Sequence, residues 1–174
     1  MSRTTPATVA LGKLGIDFEL RVYDHGAGGP KTGLQAANVL GEPPYLVLKT
    51  LMLQVEGRPV CVLVPSDCVV SMKKVAAVLG GKAAKMMAPP DVERETAYRV
   101  GAVSPFGQKH KITTIIEAEV LSASHVYVSG GQQGVEIRLS PNAVQRATGA
   151  AVARVGIRRE AATVGKRKRW CRRK

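Results

Sequence analysis

Tyr45-Leu-Val-Leu-Lys-Thr-Leu-Met-Leu-Gln-Val55 and Arg58-Pro-Val-Cys-Val-Leu-Val-Pro65 read as two β-rich runs parted only by Glu56-Gly57. Both are dense in Val and Leu, and Glu-Gly between them suits the tight turn of a hairpin. Strands joined this closely pair antiparallel, so the sheet is built largely from sequence neighbours.

The flanks extend that pattern. Thr5-Pro6 opens a helix through Leu14, with Thr as cap and Pro in the first turn, and Gly15 ends it. Phe18 to Tyr23 alternates as a half-buried strand, Asp24 to Gly33 is a Gly-rich loop, and Leu34 to Leu40 is a helix stopped by Gly41. Downstream, Ser71 to Leu79 reads as a Ser-capped helix, and Pro89-Pro90-Asp91 starts another through Thr96. Ile112–Ala118, His125–Ser129 and Val135–Leu139 are further strands, the last two joined by Gly130-Gly-Gln-Gln-Gly134, and Ser140-Pro-Asn begins a last helix through Thr148. The expected fold class is α+β, a mixed and largely antiparallel, barrel-like sheet core flanked by helices.

The 174 residues suffice for one domain with a core of its own, expected over residues 1–160. At 4% aromatic and 45% apolar content, that core must be aliphatic. The net charge of +13 is uneven: residues 158–174 carry nine Lys/Arg against one acid, a net +8. Residues 161–174, ending in Lys166-Arg-Lys-Arg-Trp-Cys-Arg-Arg-Lys174, lose apolar periodicity and read as a disordered basic tail. Its Lys166, Arg167, Lys168, Arg169, Arg172 and Arg173 point to a polyanionic partner, RNA or DNA before membrane, because no apolar face accompanies the charge. Cys61, Cys68 and Cys171 form no pair and lie far from the histidines, so neither a disulfide framework nor a metal site is indicated and no cofactor is expected. No apolar run approaches the roughly 20 residues of a membrane span, and the start lacks a signal-peptide core, so a soluble cytoplasmic protein is expected.

Absences narrow the chemistry. The chain has no HExxH, Walker loop, nucleophile elbow or GxGxxG opening a helix. Lys49 stands inside an apolar run, where an ammonium needs an anion to offset lost hydration; it is either an edge-strand lysine reaching water or a phosphate ligand. Gly101-Ala-Val-Ser-Pro-Phe-Gly107, between Tyr98 and the cations of Gln108-Lys-His-Lys111, reads as a rigid, exposed loop, either a plain turn or a wall that presents backbone to an anionic ligand. Tyr23, Thr32, Tyr98 and Glu136 fall at strand ends or in loops, where pocket linings occur. His25, His110 and His125 show no pairing that marks a base, and Cys61 reads as a buried apolar thiol.

In their order, Tyr23, Leu48-Lys-Thr-Leu51, Lys73-Lys-Val-Ala76 with Leu79-Gly80, Gly101 to Gly107, Thr114-Ile-Ile116 and Tyr127-Val-Ser-Gly-Gly131 resemble the YbaK family. These are bacterial editing domains similar to the insertion domain of prolyl-tRNA synthetase, and the likeness, over about residues 4–157, is to the Cys-tRNA(Pro) deacylase branch. The resemblance implies hydrolysis of the ester between a wrong amino acid and the terminal adenosine of tRNA(Pro), with prolyl-tRNA synthetase a partner. It implies that Lys49, with Thr50, holds the tRNA 3′ end, and that Gly101 and Pro105 frame a GXXXP loop, with Ala102, Val103 and Ser104 between them, against the aminoacyl group. Ser129, Gly130 and Glu136 join Tyr23, Thr32 and Tyr98 as the implied amino-acid pocket. It also implies that the thiol of the substrate cysteine attacks its own carbonyl. Two residues depart from the pattern: Thr32 stands where relatives often have an aromatic residue, and Glu136 where cysteine-specific members have aspartate. They leave room for an alanyl or seryl ester cleaved by water. The other alternative is a non-catalytic RNA-binding protein.

Overall fold

The computed structural model describes residues 4–24 and 32–159. In chain order the elements are α1 (Pro6–Lys13), β1 (Glu19–Val22), α2 (Gly33–Leu40), β2 (Leu48–Val55), β3 (Arg58–Pro65), β4 (Cys68–Val70), α3 (Met72–Val78) and β5 (Ala84–Met86). There follow α4 (Pro89–Thr96), β6 (Thr113–Glu117), β7 (Val126–Ser129), β8 (Val135–Leu139), α5 (Pro141–Thr148), β9 (Ala151–Ala153) and β10 (Gly156–Arg158). The α+β class holds, and the expected helices form where their caps lie. Thr5, Thr32, Ser71 and Ser140 each accept a first-turn backbone N–H, and Gly41 and Gly149 close their helices in the left-handed region.

The hairpin read from the sequence is the centre of the fold. β2 and β3 pair antiparallel from Leu48 opposite Pro65 to Val55 opposite Arg58, and Glu56 and Gly57 turn between them with φ of 52° and 77°. From Val60 onward β3 is apolar at every position because both faces are covered. Val60, Val62 and Val64 enter one cluster with Leu53, Val75 and Ile115, while Cys61 and Leu63 enter the other with Leu11, Phe106, Ile116, Val126 and Ile137. Around the hairpin lies a five-stranded sheet in the order β5-β2-β3-β6-β9, in which β6 runs parallel to both β3 and β9. A second sheet, β1-β8-β7, is antiparallel, and it meets the first at a parallel bridge from Val47 to Tyr127.

This arrangement leaves a gap at the outer edge of β2. β5 covers Leu53–Val55, the Met87 N–H reaches the Met52 carbonyl, and Tyr127 meets Val47. Between them Lys49, Thr50 and Leu51 have a paired strand, β3, on one side only among the described residues. Such an edge of unpaired backbone is open to a ligand.

The sequence reading needs two corrections. Tyr45 to Val47 is no strand: Pro43-Pro44 starts a 3-10 turn over Pro44–Leu46, because fixed proline φ angles suit a turn. β4, β5, β9 and β10 were not foreseen, since three residues are too few to show alternation. The last of these is anchored by an acid: buried Glu117 accepts the N–H groups of Val155 at 2.8 Å and Gly156 at 2.6 Å, which holds β10 against β4. No helix among the described residues is long and apolar enough to cross a membrane. The basic tail read over residues 161–174 lies outside the described residues.

Candidate functional site

A cavity of about 560 Å³ opens where the edge of β2 faces the β7–β8 turn, the start of α2 and the loop after α4. Of the residues singled out in the sequence it is lined by Tyr23, Thr32, Lys49, Thr50, Gly101, Val103, Ser129 and Glu136. Met52, Met86, Met87, Pro89, Val92 and Val100 form its apolar side, and at its rim Met86 is 50% and Val100 49% exposed. Apolar walls with a few converging polar groups are the usual composition of a small-ligand site.

Lys49 is not a lysine reaching out to water. Its ammonium donates to the carbonyl oxygen of Cys68, the first residue of β4, and the side chain is half-buried. Burial, and then the positive charge of Arg159, hold its pKa below the ordinary lysine value. An ammonium has three donors, and the bond to Cys68 is its only hydrogen bond among the described residues, so the others can meet an anion. α2 packs closely here: a Cβ on Gly33 would come within 2.3 Å of Ser66 Oγ and 3.2 Å of Lys49 Cγ. The same packing explains Thr32, whose side chain lines the cavity while capping α2 through the Gln35 N–H. Beside Lys49, Thr50 Oγ1 is buried with no hydrogen-bond partner among the described residues, an acceptor and donor left for a ligand or water.

Glu136, on β8, lines the same cavity as Lys49 and is the one carboxylate of the lining among the described residues. The Tyr23 hydroxyl donates to Glu136 Oε1 at 3.3 Å, yet burial dominates and raises the carboxyl pKa to about 7. Tyr23 is itself pushed up, by burial and then by the charge of Glu136. The hydroxyl keeps its proton and donates it to the carboxyl, so the two side chains hold each other in the cavity wall.

The loop from Gly101 to Gly107 is less exposed than its sequence implies. Ala102 to Phe106 are all buried, and only Gly101 and Val103 reach the cavity. The cause is Tyr98, which does not enter the pocket: its ring is buried and its hydroxyl donates to the Phe106 carbonyl at 2.6 Å, stapling the loop from behind. Ser104 and Pro105 are likewise interior, with the Ser104 carbonyl accepting from Gln108 Nε2 at 3.0 Å. Gly101 sits at φ 91°, in the left-handed region that favours glycine, and an added Cβ there would meet only Gln133 Nε2 at 3.6 Å. Gly130 stays behind the cavity against Val135, while Ser129 Oγ accepts the Gly131 N–H at 3.3 Å. Gln132 and Gln133 of the same turn do line the cavity; the sequence reading saw a hairpin there and missed that its tip forms the lip opposite Gly101.

No cysteine or histidine among the described residues is placed in the lining as a nucleophile or base. Cys61, its thiol pushed up to about 12 by burial, and Cys68 both lie outside the lining, and no histidine among the described residues lines it. Among those residues no group of three His, Cys, Asp or Glu is placed to hold a metal ion. What the site offers is a cation, a hydroxyl, a titratable carboxyl and backbone held at a fixed glycine.

Comparison with known proteins gives consistent matches. The aminoacyl-tRNA editing domain matches residues 30–147. EbsC of Enterococcus faecalis, provisionally named a Cys-tRNA(Pro)/Cys-tRNA(Cys) deacylase, is 32% identical over 109 residues, which are 62% of this chain and 66% of that protein. A proline–tRNA ligase of Geobacillus kaustophilus is 28% identical over 61% of this chain but only 19% of its own length. This chain thus spans just under two thirds of the first and about a fifth of the second. In fold it is similar to a solved protein described as a provisional trans-editing enzyme for prolyl-tRNA synthetase, with a TM-score of 0.79, 23% identity, and 88% of this chain and 98% of that one covered.

Proposed function

The chain belongs to the aminoacyl-tRNA editing domain family, the YbaK group its sequence resembles, and from that premise we propose that it is an aminoacyl-tRNA deacylase acting on mischarged tRNA(Pro), with Cys-tRNA(Pro) preferred. The observation that carries this reading is that Lys49, Gly101 and Glu136 line one cavity.

An aminoacyl ester has three features to satisfy: phosphates at the tRNA 3′ end, a carbonyl that gains negative charge on attack, and an α-ammonium. Lys49, with its spare donors, meets the phosphates. The backbone of Gly101 and its neighbours faces the carbonyl, where preorganised N–H groups stabilise developing charge. Glu136, as the carboxylate of the lining, pairs with the α-ammonium, and Tyr23 steadies it.

With no cysteine or histidine in the lining among the described residues, the cysteine substrate supplies its own nucleophile. Its sulfur attacks the ester carbonyl, the C–S bond forms as the C–O bond breaks, and the thiol proton passes to the departing ribose oxygen. The product is a cyclic thiolactone and free tRNA. The protein contributes position and electrostatics, which account for large rate factors in well-aligned intramolecular reactions.

The pH profile tests the site. The pKa of Glu136 is raised in the folded chain, so its contribution to stability is full below the unfolded carboxyl value of about 4.5 and is lost as pH rises through about 7. Glu136→Gln is therefore expected to be more stable than the parent above pH 7 and no more stable at pH 5. A difference of a few °C in Tm is expected, on the scale of roughly 2–4 °C per kcal/mol at this size. In parallel, kcat/KM for Cys-tRNA(Pro) rises through pH 7 in the parent as Glu136 ionises, and this inflection is absent from the Gln variant. Identical profiles contradict the role given to Glu136.

A further inference from the structure

The cavity is larger than the chemistry given to it. Its volume of about 560 Å³ suits a drug-sized ligand, whereas a cysteinyl group and its carbonyl engage only the polar part of the lining, at Lys49, Gly101 and Glu136. Met86, Met87, Pro89, Val92 and Val100 make an apolar wall that the amino acid does not use. Met86 at 50% and Val100 at 49% exposure still have apolar surface to bury. This wall adjoins the open edge of β2, because β5 ends at Met86 opposite Leu53 and the Met87 N–H bonds the Met52 carbonyl.

That edge has a direction. Along an antiparallel pair, alternate residues turn their N–H and C=O toward the partner and away from it. Met52 faces away from β3, since its carbonyl accepts from Met87. Two residues back, Thr50 faces the same way, and on that side it pairs with no strand among the described residues. Its Oγ1 is also buried without a hydrogen-bond partner among them, a cost that something bound at the edge would remove. A backbone donor and acceptor and a hydroxyl thus stand together on the strand between Lys49 and the Met52–Met87 bond.

An adenine nucleotide matches this order of groups. The base has a donor, its exocyclic amine, beside a ring-nitrogen acceptor, complementary to a backbone C=O and N–H, and its two faces suit an apolar wall. Its phosphate is an anion for the spare donors of Lys49. We propose that the open edge at Thr50, together with the wall of Met86 and Val100, is a subsite for an adenine base, the terminal base of the tRNA whose phosphate meets Lys49. The base bonds the Thr50 backbone through its edge and lies against the two apolar side chains with its face. The identity of the ligand rests on the deacylase reading, and the geometry of the subsite does not.

AMP reproduces that nucleotide without the ester, so binding and chemistry separate in experiment. In the full chain followed by NMR, AMP is expected to shift the Thr50 amide and the Met86 methyl resonances. Ribose 5-phosphate, which lacks the base, and N6,N6-dimethyl-AMP, which lacks the donor, are expected to bind roughly tenfold more weakly or worse, the usual scale of a two-bond edge contact. The double variant Met86→Gln, Val100→Asn, at two half-exposed positions, is expected to weaken AMP on the order of tenfold with little change in the thermal midpoint. It is expected to shrink the parent's preference for a cysteinyl-adenosine ester over cysteine ethyl ester by a similar factor. Ribose 5-phosphate or N6,N6-dimethyl-AMP binding as tightly as AMP overturns the proposal, as does a folded double variant that binds AMP like the parent, or a parent that binds no AMP. Equal cleavage of the two esters by the parent overturns the subsite while the deacylase reading stands. A parent that cleaves neither ester yet binds AMP with this selectivity overturns the deacylase reading and leaves the subsite in place.

Discussion

Lys49→Ala is expected to lower the rate of Cys-tRNA(Pro) deacylation by a factor of about 10² or more while the protein stays folded. The size follows from loss of a charge-assisted contact in a half-buried site, where removing one such donor typically costs on the order of 10²–10³ in rate. Folding tolerates the change for a local reason. Lys49 contributes one hydrogen bond, to the Cys68 carbonyl, and its neighbours on β2 and β3 remain paired from Leu48 to Val55. The thermal midpoint should move by no more than a few °C. Single-turnover rates alongside a thermal melt separate the two effects, and turnover equal to the parent's removes Lys49 from the mechanism.

The largest effect on stability is expected at Gly131. Its φ is 86°, and a Cβ there would lie 2.4 Å from Tyr98 Cε1, inside the ring that staples the Gly101–Gly107 loop. Gly131→Ala thus combines a left-handed backbone strain of about 1–2 kcal/mol with a core clash of about 1–3 kcal/mol. A loss of roughly 2–5 kcal/mol corresponds to about 5–15 °C in Tm at this chain length. Deacylation falls as well, because a displaced Tyr98 releases the Phe106 carbonyl and with it the loop behind Gly101. In a Tyr98→Leu background the clash disappears, so the cost of Gly131→Ala shrinks to the backbone strain. Additive effects of the two substitutions would contradict this account of the loop.

These residues show what a sequence of this kind discloses and what it withholds. The β2–β3 hairpin was legible because long runs rich in Val and Leu and a Glu-Gly turn are local signals, and helix ends were legible because caps are local too. The three-residue strands were not, and neither was the parallel placement of β6 between β3 and β9, which depends on packing between distant segments. For the site, Lys49 stood out as a charge among apolar residues, while Glu136 showed only as a polar residue at a strand end until the resemblance gave it a place in the pocket. Tyr98 and Pro105 belong to the right loop but support it from behind, since nothing in the order of residues says which side of a loop faces the cavity. Thr32 has a second duty as the cap of α2. A residue that caps a helix and lines a pocket is constrained by both.

The central claim is that this cavity cleaves the ester of a wrongly charged tRNA(Pro). Its most direct test is the release of amino acid by the purified protein from Cys-tRNA(Pro), set beside Ala-, Ser- and Pro-tRNA(Pro) under the same conditions. The account predicts rapid loss of cysteine as its thiolactone, slower loss of alanine and serine, and an intact prolyl ester. Equal hydrolysis of all four, or of none, would contradict it.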